Sequence, residues 1–139
     1  MVIKLTEEMR EHINNALMNR APLIIASVDE EGQPHLTFRG STHVHGDDAL
    51  AIWARNPDGA FLRHLASNPR VALMYQNFEA RVGWQFQGRA HVATDPVEAK
   101  RVYDESPEPE RSLDPERKGC AVVIVLDRVI QRGTVIMER

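Results

Sequence analysis

Leu23-Ile24-Ile25-Ala26-Ser27-Val28-Asp29-Glu30-Glu31-Gly32-Gln33-Pro34-His35-Leu36-Thr37-Phe38-Arg39 is the stretch that decides the architecture. Its first six residues form a short apolar run rich in β-branched side chains, which reads as a buried strand. Asp29-Glu30-Glu31-Gly32 is a turn. From Gln33 the pattern alternates: His35, Thr37 and Arg39 point one way, Leu36 and Phe38 the other. The two runs make an antiparallel hairpin.

Working outward, the same grammar repeats. His45-Gly46-Asp47-Asp48 is a second turn and Ala49 to Ala54 a third strand, broken by Asn56-Pro57-Asp58-Gly59. A short helix starting at Asp58 or Gly59 carries Phe61, Leu62 and Leu65 and ends at Asn68-Pro69. Val71 to Tyr75 is a fourth strand, and Gln76 to Ala80 a loop. A long strand covers Arg81 to Thr94, with Gly83 and Gly88 as bulge or close-approach points. Asp95-Pro96 starts a helix running to about Asp104. Glu105 to Lys118 reads as a solvated loop, Ala121 to Leu126 as a buried strand and Val129 to Met137 as a last one. Upstream, Thr6 caps an amphipathic helix with Leu5, Met9, Ile13 and Leu17 on one face, extending to about Asn19 before Pro22. Short connections between strands predict a closed or half-closed antiparallel barrel rather than a parallel sheet.

Composition agrees. The 139 residues are 42% hydrophobic and 27% charged, which predicts one soluble domain over residues 1–139 with a core that needs no staples. The single Cys120 excludes an intramolecular disulfide and any multi-cysteine metal site. It opens an apolar strand and reads as buried and inert. A net charge of −3 argues against duplex nucleic acid as a partner. The opening residues lack a signal peptide or a membrane span, so a reducing cytoplasm is the expected location, with no membrane partner. Of 17 basic residues only Lys4, Lys100 and Lys118 are lysines; the other arginines suit bidentate contacts to phosphate or carboxylate.

The order of these elements resembles the pyridoxamine 5′-phosphate oxidase-like family of flavin-binding split barrels. The resemblance runs from the opening helix to about Arg132. It is carried by Pro34-His35-Leu36-Thr37-Phe38-Arg39-Gly40-Ser41, by Leu50-Ala51-Ile52-Trp53-Ala54-Arg55, by Asn68-Pro69-Arg70-Val71-Ala72-Leu73 and by Gln85-Phe86-Gln87-Gly88-Arg89-Ala90. It implies an α+β fold, mainly β: a six-stranded-type antiparallel split barrel with flanking helices. It further implies a homodimer with two FMN sites at the subunit interface. Arg39 falls where such proteins meet the FMN phosphate. Gly40, Ser41 and Thr42 fall along the isoalloxazine ring, and Trp53, Ala54, Arg55 and Asn56 line the cofactor from the third strand. The family often has Ser-Arg-Lys at the start of the inserted helix, where this chain has Gly59-Ala60-Phe61. Arg55 and Arg63 are near enough in sequence to compensate, and the helix N-terminus at Gly59 supplies backbone N–H groups. The C-terminal Arg- and Trp-containing segment of true pyridoxamine phosphate oxidases is not seen in Val135-Ile136-Met137-Glu138-Arg139, so the expected function is not that of the vitamin B6 oxidase.

Other residues admit simpler readings beside the functional one. By residue type alone Arg39 is a surface arginine paired with a carboxylate. Trp84 suits a dimer interface. Gln85 and Gln87 make one strand face polar, facing solvent or a flavin held by the partner subunit. His43-Val44-His45 has metal-binding spacing, with His35, Asp47, Asp48 or His91 as a third ligand, but reads as a pair of surface or hydrogen-bonded histidines; no metal is expected. The expected activity is a flavin-dependent oxidoreductase taking a small-molecule substrate or electron donor, with no catalytic side chain assigned. The alternative is a binding or storage protein for a flavin, for F420 or for haem, the last with His43, His45 or His91 as axial ligand.

Overall fold

The computed structural model describes residues 2–139. In chain order its elements are α1 (Glu7–Asn14), β1 (Leu23–Val28), β2 (Pro34–Arg39), β3 (His43–Val44), β4 (Ala49–Ala54), α2 (Ala60–Ser67), β5 (Arg70–Asn77), β6 (Val82–Val92), α3 (Pro96–Glu105), α4 (Glu108–Arg111), β7 (Cys120–Gln131) and β8 (Thr134–Glu138). The strands form one curled antiparallel sheet in the order β2-β1-β5-β6-β7-β4-β3, with β8 pairing the far end of β7. This is the split barrel with flanking helices that the sequence predicts.

The opening hairpin forms for the reason its pattern implies. The Asp29 carboxylate accepts from the Glu31 and Gln33 amides, and Gly32 takes a left-handed φ of 84° to close the turn. Leu23 and Ile25 point into the barrel, where they meet Leu50, Ile52, Leu73, Phe86 and Ile124; Met9 and Ile13 of α1 and Phe61 and Leu65 of α2 pack against them. Strand β4 is buried on both faces. Leu50, Ile52 and Ala54 face the barrel, while Ala49, Ala51 and Trp53 face Val102 and Tyr103 of α3.

Several elements depart from expectation. Helix α1 stops at Asn14, not Asn19, because the Asn14 carboxamide accepts the Val44 amide of β3 and Asn15 turns back onto Glu11. The C-terminal strands divide later than predicted. β7 runs unbroken through Asp127 and Arg128, and the chain reverses at Arg132 and Gly133, both left-handed at φ 50° and 76°. That is the geometry of the tightest hairpin turns. The Pro-rich segment before β7 contains the short helix α4, and Ser106 and Asp114 within it are buried. Trp84 is not an interface residue: it is 2% exposed and packs inside the barrel near Tyr75, Phe86 and His12. Among the described residues no helix is long and apolar enough to cross a membrane.

Candidate functional site

A cleft of about 320 Å³ opens between β2 and α2, with Ala54 and Asn56 at its end. Strand periodicity builds one wall: His35, Thr37 and Arg39 share a face of β2 and all three line the cleft. The opposite wall is the first turn and a half of α2. Gly59 is its N-cap and offers no side chain to the first amides, so the helix presents open N–H groups and its positive dipole end. Asn56 shapes the approach, accepting the Asp58 amide through its carboxamide and the Gly59 amide through its carbonyl.

Arg39 is the dominant charge here. Its guanidinium lies 4.4 Å from the centroid of the Phe61 ring. Its Nε is buried and has no hydrogen-bond partner among the described residues. Burial lowers its pKa, the neighbouring Arg55 lowers it further, and Glu110 of α4 opposes both. An arginine remains charged under any such shift. The cleft therefore holds a partly desolvated cation, with a second cation close enough to repel it, beside an open helix N-terminus. An anion would relieve all three.

Two histidines complete the cleft, and sequence reasoning assigned neither to it. His64 of α2 is 8% exposed, and its Nδ1 lies 2.8 Å from the buried Ser27 hydroxyl of β1. The rings of His64 and His35 are 4.5 Å apart, and His35 Nε2 is 2.9 Å from the Asp29 carboxylate. A signal existed. His64 follows Ala60 by four residues and Phe61 by three, so it shares their face of α2.

Of the residues expected to hold the cofactor, Arg39, Ala54, Asn56 and Gly59 meet in this cleft. Arg55 is exposed and acts on Arg39 through its field. Arg63 donates to the Asp58 carbonyl at 2.8 Å, which ties down the turn before α2. Gly40 packs against Leu17 and Glu110. The Ser41 hydroxyl is 1% exposed and accepts the Trp53 amide at 2.9 Å, and the Thr42 hydroxyl donates to the Arg39 carbonyl. These two hydroxyls brace the strand ends and do not line the cleft. Trp53 cannot face it, because its neighbour Ala54 does and successive strand residues point oppositely. Its indole instead donates to Asp114 at 2.8 Å and meets the Tyr103 ring edge-on. Gln87 lies on the outer face of β6, hydrogen-bonded to Gln85 and lining a separate groove with Arg70 and Arg128.

His43 and His45 are enclosed between β3 and α3, 3% and 8% exposed. His43 Nδ1 donates to the Ser41 carbonyl at 2.8 Å, and burial lowers the pKa of its imidazole. His45 Nε2 is 2.9 Å from the Glu98 carboxylate. Among the described residues no three His, Cys, Asp or Glu side chains are grouped to hold a metal. Cys120 is half-buried, and burial raises its pKa, away from the reactive thiolate.

Residues 5–125 match the family model described as pyridoxamine 5′-phosphate oxidase. Among solved structures, the chain is similar to tagged HupZ from Group A Streptococcus, at 21% identity over 94% of this chain and 96% of that one, with a TM-score of 0.67. It is similar to a protein related to general stress protein 26, of the pyridoxinephosphate oxidase family, from Clostridium acetobutylicum (12% identity, 96% of each chain, TM-score 0.66). A third is an FMN-binding protein from Syntrophomonas wolfei (14% identity, 90% of this chain and 86% of that one, TM-score 0.61). At these identities the likeness carries the fold. No curated protein matches the chain.

Proposed function

The chain belongs to the pyridoxamine 5′-phosphate oxidase family, and on that premise we propose that it is an FMN-binding oxidoreductase whose β2–α2 cleft takes the phosphate end of the cofactor. The observation that carries this reading is Arg39, a half-buried guanidinium with an unpartnered Nε beside the uncapped start of α2. The residues present fit a phosphate monoester, although Gly59-Ala60-Phe61 brings no cation of its own. Arg39 would offer a planar fork to the phosphate, and the first amides of α2, which no side chain caps, would add donors.

When bound, the flavin ring supplies hydride or electron transfer, so the chain needs no nucleophile or acid–base pair of its own. The protein's part is to hold the phosphate, orient the ring and keep water out. A homodimer supports the last two tasks. Leu36 and Phe38 are 74% and 65% exposed on β2, an edge strand directly beside the cleft. A second copy laid over β2 would bury them and wall the cleft. The substrate class is a reduced nicotinamide donor or a conjugated ring acceptor. None of the histidines expected as a haem ligand lines the cleft: His43 and His45 are enclosed beneath α3, and His91 is exposed on β6. F420 carries a phosphodiester, a monoanion, where FMN carries a monoester, and titration separates the two.

The test is the absorbance spectrum of the purified protein after gel filtration, then titration with FMN and F420 and turnover with reduced nicotinamide under air. A flavin band that travels with the protein, and consumption of the donor, support the oxidoreductase. Tight flavin binding without turnover leaves the binding-protein reading, and failure to retain FMN while F420 binds removes FMN as the ligand.

A further inference from the structure

The cleft has one fixed cation where the family often has more, yet it also encloses the imidazole of His64. We infer that His64 is the missing cation in proton-linked form: a phosphate dianion bound against Arg39 and the open end of α2 draws a proton onto His64. The inference rests on the phosphate subsite of the reading above, but it concerns any phosphate monoester placed there.

The geometry supports it at each step. Arg39 stacks on Phe61, and His64 lies three residues further along the same face of α2, less than one helical turn away. An anion seated at the guanidinium is therefore within short Coulomb range of the imidazole. Ser27 occupies Nδ1 at 2.8 Å and His64 lines the cleft, so Nε2 is the nitrogen available to a ligand there. In the protonated ring Nδ1–H donates to the Ser27 oxygen, and Nε2–H becomes a donor for the anion. Uptake of the proton thus needs no rearrangement of the ring. Burial of His64 and Ser27, 8% and 4% exposed, keeps the charge pair from being screened.

The groups facing His64 set the sign. On β2 the His35 ring lies tilted against it, 4.5 Å between centroids, with Nε2 2.9 Å from the Asp29 carboxylate. Arg39, also on β2, lines the same cleft and carries the positive charge that a bound anion would offset. Arg63 on the same helix is exposed and donates to the Asp58 carbonyl. Anion binding and protonation are therefore coupled, and each favours the other.

The experiment is calorimetry of FMN binding in phosphate-free buffers of differing ionisation heat, with riboflavin as the control without phosphate. At pH 7.5 the wild type should take up about 0.3–1 proton more per FMN than His64→Gln. From pH 6.5 to 8.0 its Kd should rise about three- to tenfold more than that of the variant, the phosphate's own ionisation being common to both. Riboflavin should show no difference. Ser27→Ala keeps the imidazole but loosens it, and should give a smaller linkage. A readout without any variant is the His64 imidazole resonance of the wild type, which inorganic phosphate should move toward the protonated form. Identical proton counts and pH profiles in wild type and His64→Gln, or a His64 resonance indifferent to phosphate, would overturn the inference. If FMN binds no better than inorganic phosphate while phosphate still shifts His64, the cofactor reading fails and this one stands. If FMN binds tightly with no linkage, the reverse holds.

Discussion

Asp114 shows how much one buried carboxylate can organise. It accepts the Trp53 indole at 2.8 Å, the Lys118 amide at 3.0 Å and the Gly119 amide at 2.9 Å, and so pins the segment between α4 and β7 against β4. Burial alone would raise its pKa, but the indole and the two amides outweigh burial and hold it below the usual carboxylate value. The sign follows from linkage. A depressed folded-state value contributes stability that is complete above the unfolded value near 4 and is lost as pH falls through the folded one. Asp114→Ala should cost about 1–3 kcal/mol at pH 7 by urea unfolding. The stability gap between wild type and Asp114→Asn should narrow as pH is lowered toward 3; a gap independent of pH would contradict this account. Neither Asp114 nor its bond to Trp53 was legible beforehand, because the partners are 61 residues apart and β4, an unbroken apolar run, does not reveal which face Trp53 takes.

At the scale of elements, legibility tracks locality. The β1–β2 hairpin, the caps of α1 and α3 and the start of α2 at Gly59 were readable because turn and cap chemistry is written in adjacent residues. Gly88 was readable as a bulge for the same reason, and the register of β6 against β7 shifts between Gln87 and Gly88. A Cβ there would lie 2.2 Å from the Val125 carbonyl oxygen. Gly88→Ala should therefore destabilise the protein by about 1–3 kcal/mol or prevent the barrel from folding, as read by chemical unfolding and circular dichroism. Wild-type stability in that variant would mean that the close approach is not enforced. The division of β7 from β8 was misplaced because Asp127-Arg128 looks like a break. It is held in the strand by pairs the sequence does not announce, Asp127 with Arg89 and Arg128 with Glu138. The candidate site divided in the same way. Arg39, Ala54 and Asn56 were assigned through the family resemblance and Gly59 as the start of α2, and all four line one cleft, whereas Ser27, His35 and His64 come together only when β1, β2 and α2 close on one another.

At the scale of the whole molecule, the chain presents a well-filled half-barrel with one apolar edge left bare. If β2 is the face that a second copy covers, Leu36→Asp with Phe38→Asp should yield a folded monomer, whereas the wild type elutes as a dimer in light scattering after gel filtration. A wild-type monomer, or a doubly substituted protein that remains dimeric, would reject that face. The central claim concerns the cleft beside it, and it is tested most directly by titrating wild type and Arg39→Ala in parallel with FMN and with riboflavin. The account predicts that Arg39→Ala weakens FMN binding by about 1.5–3 kcal/mol, roughly ten- to 150-fold, and leaves riboflavin binding nearly unchanged. Equal FMN affinity in the two proteins would show that the phosphate is not held at Arg39, and would contradict the assignment of the site.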